Sequence, residues 1–112
     1  PIAVDTQFGG HCLEAIRQFR AQHGAQIRIT GGFSNISFGL PCRQMVNEVF
    51  LLLAMEAGAD SGIVDPVSSP LERVLALDCS ARPFQLTEEM LLGRDLNCKN
   101  FLRAYRKGEL EV

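Results

Sequence analysis

Three short apolar runs, separated by two stretches of helical pattern, restrict the folds open to this chain more than any other feature. "IAVD" (residues 2–5), "QIRIT" (26–30) and "SGIVD" (61–65) each have the length and apolar or β-branched content of a buried strand. Two stretches of helical period separate them. Residues 10–23 carry Cys12, Leu13, Ile16, Phe19 and Arg20 at helical spacing, with Gly24 placed to stop the helix; residues 42–57 run through "VFLLLAM" to Gly58. Strand, helix, strand, helix, strand is the order of βαβ units and a parallel sheet.

Beyond residue 65 the pattern turns helical. Ser69-Pro70-Leu71-Glu72 has the form of a capping box with proline at the first helical position, which predicts a helix to about Cys79. Arg82-Pro83 is expected to break it. Thr87 then caps a short helix ended by Gly93, and Asp95 caps a last one striped by Cys98, Phe101, Leu102 and Tyr105.

A chain of 112 residues is at most one domain, and 46% hydrophobic with 21% charged residues is an ordinary globular balance. The formal net charge is −2 with Lys and Arg scattered, which argues against a nucleic-acid surface. "RAYRK" near the C-terminus reads as a complement to a helix dipole. The longest apolar run, 49–57, is interrupted by Glu56 and too short to span a membrane. Cys12, Cys42, Cys79 and Cys98 form no C-x-x-C pair, so they are expected to be free thiols in a reducing cytoplasm, with no metal bound. His11 and His23 read as exposed helix residues. The chain starts at Pro1 and no signal peptide precedes the first run, which suggests a processed or truncated chain.

Three polar residues, Asp5, Asn35 and Asp65, stand 30 residues apart, about one βα unit each. Equivalent positions of successive βα units lie side by side in a parallel sheet, and ligands bind outside the carboxyl ends of such strands. These three side chains are therefore expected to converge on one rim. Each also suits a local role, Asn35 in an Asx-turn and Asp65 in the Asp65-Pro66 turn. Spacing points to a site and leaves its chemistry open. No G-x-G-x-x-G and no phosphate-binding loop is present.

The segment "GGFSNISFGLPCRQMVNEVFLLLAMEAGADSGIVDP" resembles the pterin-binding domain of methyltetrahydrofolate:corrinoid methyltransferases, including the folate domain of cobalamin-dependent methionine synthase. The resemblance rests on Gly32-Phe33-Ser34-Asn35-Ile36-Ser37, then Arg43, Asn47, the apolar 50–55 run, Gly58-Ala59-Asp60 and Asp65-Pro66. It continues into "LLGRDLNCKNFLRAYRKG". It implies a (β/α)8 TIM barrel of the dihydropteroate synthase-like type, of which residues 1–112 would be the C-terminal portion, about three βα units plus terminal helices. It implies that Asn35 hydrogen-bonds near N5 of 5-methyltetrahydrofolate and that Asp5 recognises the donor edge of the pterin. Asp65 and Ser37 would belong to the same rim, and Arg43 would approach the folate tail or the partner.

That chemistry suits those residue types. A methyl on a tertiary amine leaves poorly unless the nitrogen is protonated or hydrogen-bonded. An amide such as Asn35 accepts or donates, so it follows the change of protonation. A carboxylate such as Asp5 takes two hydrogen bonds from a ring N–H and an exocyclic amine. The methyl acceptor would be the cobalt of a corrinoid (cobalamin) on a partner protein or domain, because this chain has no D-x-H-x-x-G cobalamin motif. A complete barrel needs about 250 residues, so a missing N-terminal half-barrel or a homo-oligomer is expected. Two alternatives stand beside this reading: a non-catalytic pterin/folate-binding or assembly module, and a dihydropteroate synthase-like enzyme, whose late Lys and Arg-x-His signals are absent.

Overall fold

The computed structural model describes residues 1–63 and 71–110. At its centre lies helix α2, Arg43–Ala57. The segment has no internal Gly or Pro, and its apolar residues crowd more than one face. Met45, Val46, Val49, Phe50, Leu53 and Ala54 are all buried. Helix α1, Phe8–His23, packs on it through Leu13 and Ile16. Gly9 of α1 lies against the backbone carbonyl of Leu91, so closely that a Cβ there would overlap the oxygen. Gly58 ends α2 at φ 123°, donating its N–H to the Ala54 and Met55 carbonyls.

Strand β1, Thr30–Gly32, pairs in parallel with β2, Ser61–Ile63, in the register Thr30↔Ser61, Gly31↔Gly62, Gly32↔Ile63. The connection through α2 makes one βαβ unit. Among the described residues the chain is mostly helical, with two three-residue strands and no closed barrel.

The first expected strand is a turn. The Pro1 carbonyl accepts the N–H groups of Val4 and Asp5, and Val4 is 82% exposed. Only Ile2 is buried from this run, with its N–H donated to the Ile36 carbonyl. A four-residue apolar run cannot distinguish a strand from an anchored turn, because periodicity needs more residues than that.

"QIRIT" also contributes less ladder than its composition suggests. Gly24–Gln26 form a 3-10 turn and pairing begins only at Thr30. Side chains take up the backbone groups in between. Arg20 donates to the carbonyls of Gly58, Gly24 and Ile27, and at 2.6 Å to Asp60 Oδ2. Asp60 Oδ2 also accepts the Ile29 N–H at 2.7 Å. This latch ties the end of α1 to both strands.

The latch has a pH signature. The Ile29 N–H, the Arg20 guanidinium and the nearby Arg28 charge hold the Asp60 carboxyl below its ordinary range. A carboxylate depressed in the folded state stabilises the fold fully above its unfolded value, about 3.9, and loses that contribution as pH falls through the folded pKa. Asp60→Asn should therefore lower the urea midpoint at pH 7, and the gap from the parent chain should close as pH falls below the folded pKa of Asp60. An equal gap at neutral and strongly acid pH would show that the charge plays no part.

Helix α3, Leu71–Leu75, is shorter than the expected run to Cys79, and the proposed cap at Ser69-Pro70 lies outside the described residues. Its Arg73 reaches Glu48 of α2 at 2.9 Å, where the Glu48 side chain is 1% exposed. Helix α4, Arg82–Leu91, carries Pro83 in its first turn, where a missing N–H costs nothing. Pro83 thus starts a helix instead of breaking one. Thr87 is interior to α4, not its cap, and its buried hydroxyl donates to the Pro83 carbonyl at 2.7 Å. Asp95 does cap the last helix, α5, Lys99–Arg106: its two carboxylate oxygens accept the N–H groups of Asn100 and Phe101, both at 2.9 Å.

Candidate functional site

Past the carboxyl end of β1 the chain makes a 3-10 turn, Ser34–Ser37, and the burial pattern around it decides which side chain faces out. Phe33 is buried and meets Phe50 edge-to-face, with centroids 5.8 Å apart and rings at 72°. Ile36 and Ser37 are buried as well, while Asn35 is exposed. Anchors on both sides thus fix the turn and leave one amide at its outer surface. The Asn35 carbonyl accepts the Phe38 N–H at 3.3 Å, which continues the turn into the Gly39 reversal at φ 83°.

Asn35 borders a cleft of about 280 Å³ that runs beside β1. One wall is a face of α1, formed by Phe8, Cys12, Ala15, Ile16 and Phe19. The floor is the backbone from Ile29 to Gly32. Glycine is needed at residue 31, because a Cβ there would come within 2.8 Å of the Phe33 ring. Burial pushes the Cys12 thiol up, so it lines the cleft as a neutral group. Among the described residues Asn35 is the only amide side chain of the lining, in surroundings that are otherwise mostly apolar. Such a cleft suits a largely apolar ligand with a hydrogen-bonding group toward Asn35.

The other expected site residues fall into separate places. Asp5 does not end a strand. Its Oδ1 accepts the Gln7 N–H at 3.0 Å and its carbonyl accepts the Phe8 N–H, so it leads the chain into α1. It borders a second, more polar cleft of about 350 Å³, together with Thr6, Gly39 and Asn97. Asp5 and Asn35 are thus not brought to one rim in this arrangement, and Asp65 lies outside the described residues. Ser37, the last residue of the turn, and Arg43 after it do not line the cleft. The buried Ser37 hydroxyl accepts the Arg43 Nε–H at 3.0 Å, and the guanidinium lies 4.7 Å from the Phe38 ring centroid.

The cleft wall of α1 was not singled out from the sequence, though a signal existed. Phe8, Cys12, Ala15 and Phe19 recur at helical spacing on one face, and Phe8 and Phe19 stay about half exposed. Among the described residues no group of three or more His, Cys, Asp or Glu side chains could hold a metal ion. Among them, too, no helix is long and apolar enough to cross a membrane.

No family model matches the chain. It is similar to the methylcorrinoid:tetrahydrofolate methyltransferase of Eubacterium limosum, with 37% identity over 98 residues that make up 88% of this chain and 31% of that protein. It is also similar to the methionine synthase of Mycobacterium tuberculosis (strain ATCC 25618 / H37Rv), 48% identical over 58 residues, which are 50% of this chain and 5% of that protein. The methionine synthase of Mycobacterium leprae (strain TN) gives the same figures. The chain spans less than a third of the length of each of these relatives.

Proposed function

We propose that this chain is part of an enzyme that moves a methyl group between N5 of a tetrahydrofolate and the cobalt of a corrinoid carried by a partner protein or domain. The observation that carries the reading is the Ser34–Ser37 turn, which follows a parallel strand and leaves Asn35 at the end of an apolar cleft. The similarity to proteins named for tetrahydrofolate and methylcorrinoid chemistry supports the same class of substrate. In this reading residues 1–112 belong to a pterin-binding (β/α)8 barrel completed by further chain or by a second copy, working in the cytoplasm.

Asn35 has the central role. Its amide can donate to N5 when the nitrogen is unprotonated and accept from it when it carries a proton, so one side chain serves both ends of the transfer. The walls formed by Phe8, Phe19 and Phe33 give the flat pterin an apolar seat. Arg43, clamped by Ser37 Oγ and stacked on Phe38, is held where an anionic folate tail could reach it. Asp65 is assigned to the shared rim, and Asp5, which borders the second cleft here, meets the pterin's donor edge only if the completed barrel draws residues 2–5 into a strand. The corrinoid supplies a metal that takes or gives the methyl group.

Asn35→Ala should lower methyl transfer by about a hundredfold, while folate affinity changes by less than tenfold. An unchanged transfer rate removes Asn35 from this role. The separation of Asp5 from Asn35 favours a second reading, a non-catalytic folate-binding module. Folate binding by titration with no methyl transfer to reduced cobalamin, even in the presence of an N-terminal half-barrel, would decide for it.

A further inference from the structure

Helix α5 has two unlike faces. Phe101 and Ala104 are buried, whereas Lys99, Arg103, Arg106 and the following Lys107 are exposed. Lys99, Arg103 and Arg106 stand at i, i+4 and i+7, which sets them in one stripe about 10 Å long. No Asp or Glu occurs from residue 96 to 108. Among the described residues none of these four cations makes an ion pair, although Arg17, Arg20, Arg28, Arg73, Arg82 and Arg94 all do. The helix dipole accounts for cations in the last turn, but it disfavours one in the first turn, where Lys99 stands.

We propose that this ridge is a docking surface for a carboxylate-rich face of another protein. Its chemistry fits that occupant. Two of the three residues of the stripe are arginines, Arg103 and Arg106, and both are exposed. Arginine pairs with carboxylates through two parallel hydrogen bonds, and it is enriched at the centre of protein interfaces. A nucleic acid fits less well. A duplex carries a charge about every 1.7 Å, so it would overrun a stripe this short onto a chain with 13 acidic and 11 basic residues. A compact acidic patch can match the ridge and stop there.

The test is fluorescence anisotropy of a labelled poly-glutamate peptide against the full chain, at low salt and at about 0.15 M salt. A DNA duplex and vesicles containing an anionic lipid serve as competing probes. The peptide should bind at low salt, weaken as salt rises, and lose at least about tenfold in affinity, roughly 1.4 kcal/mol, with Arg103→Glu/Arg106→Glu. Far-ultraviolet circular dichroism checks that this variant folds, and Arg103→Gln/Arg106→Gln replaces it if it does not. Absence of peptide binding at low salt, binding unaffected by the substitutions, or tighter binding of DNA or vesicles at about 0.15 M salt would each overturn the proposal.

Discussion

Phe50→Ala is expected to cost about 3–5 kcal/mol of folding stability, the largest loss foreseen for a single substitution in this chain. Phe50 is 1% exposed, supports Phe33 edge-to-face and forms part of the cleft lining. Its removal deletes the apolar area of a ring and leaves a void that α2 cannot collapse, because α1, α3 and α4 all pack on that helix. Small domains are stable by only about 5–15 kcal/mol, so the variant should show a greatly reduced urea midpoint with an unchanged slope. Phe50→Leu keeps most of the volume and should lose much less. Equal losses for the two would mean that the ring does not organise this core. Because Phe33 leads directly into the turn bearing Asn35, Phe50→Ala should also loosen the site.

Arg73→Ala is expected to destabilise the chain by about 2–4 kcal/mol. The Glu48 side chain is 1% exposed, and its carboxylate takes hydrogen bonds only from Gln44 and Arg73 among the described residues. Without Arg73 a buried negative charge keeps one neutral donor at 3.2 Å. The Arg73 side chain is itself 47% exposed, so water can partly reach the gap and the loss should fall short of that for a fully buried pair. The control is Glu48→Leu/Arg73→Ala, which removes the charge with its partner. Urea denaturation should find the double variant more stable than Arg73→Ala alone. A double variant no better than the single one would show that the aliphatic stem of Arg73, not its charge, holds α3 to α2.

The sequence made the helices far more legible than the strands, for a physical reason. Both α1 and α2 carry their signals locally, in apolar spacing and in the stop signals Gly24 and Gly58, and each appears within about two residues of expectation. Asp95 was legible as a cap because a carboxylate just before an amphipathic stripe has few other uses. A strand depends on a partner elsewhere in the chain. Residues 2–5 and 26–29 have strand composition, yet their backbone groups are taken by the Pro1 carbonyl, Arg20 and Asp60 instead of a ladder. Nothing in their own spacing announces that competition. The same distinction holds at the site. The position of Asn35 just past a strand was legible because its turn follows β1 directly, whereas the expected meeting of Asp5 with Asn35 required a strand that is a turn here. Pro83 and Thr87 misled because each suits both a helix boundary and a place inside the first turns.

The backbone holds a further consequence at the starts of two helices. Cys42, Asn97 and Cys98 all adopt positive φ, near 55°, and each stands immediately before or within one residue of a helix. A side chain in that conformation costs roughly 1–2 kcal/mol, less for asparagine, and glycine would be free of it. The native fold therefore tolerates strain that substitution could relieve. Exposed Asn97 borders the second cleft, with Asp5, and not the one beside Asn35. Stability in this molecule is thus a quantity that substitution at a helix start can raise.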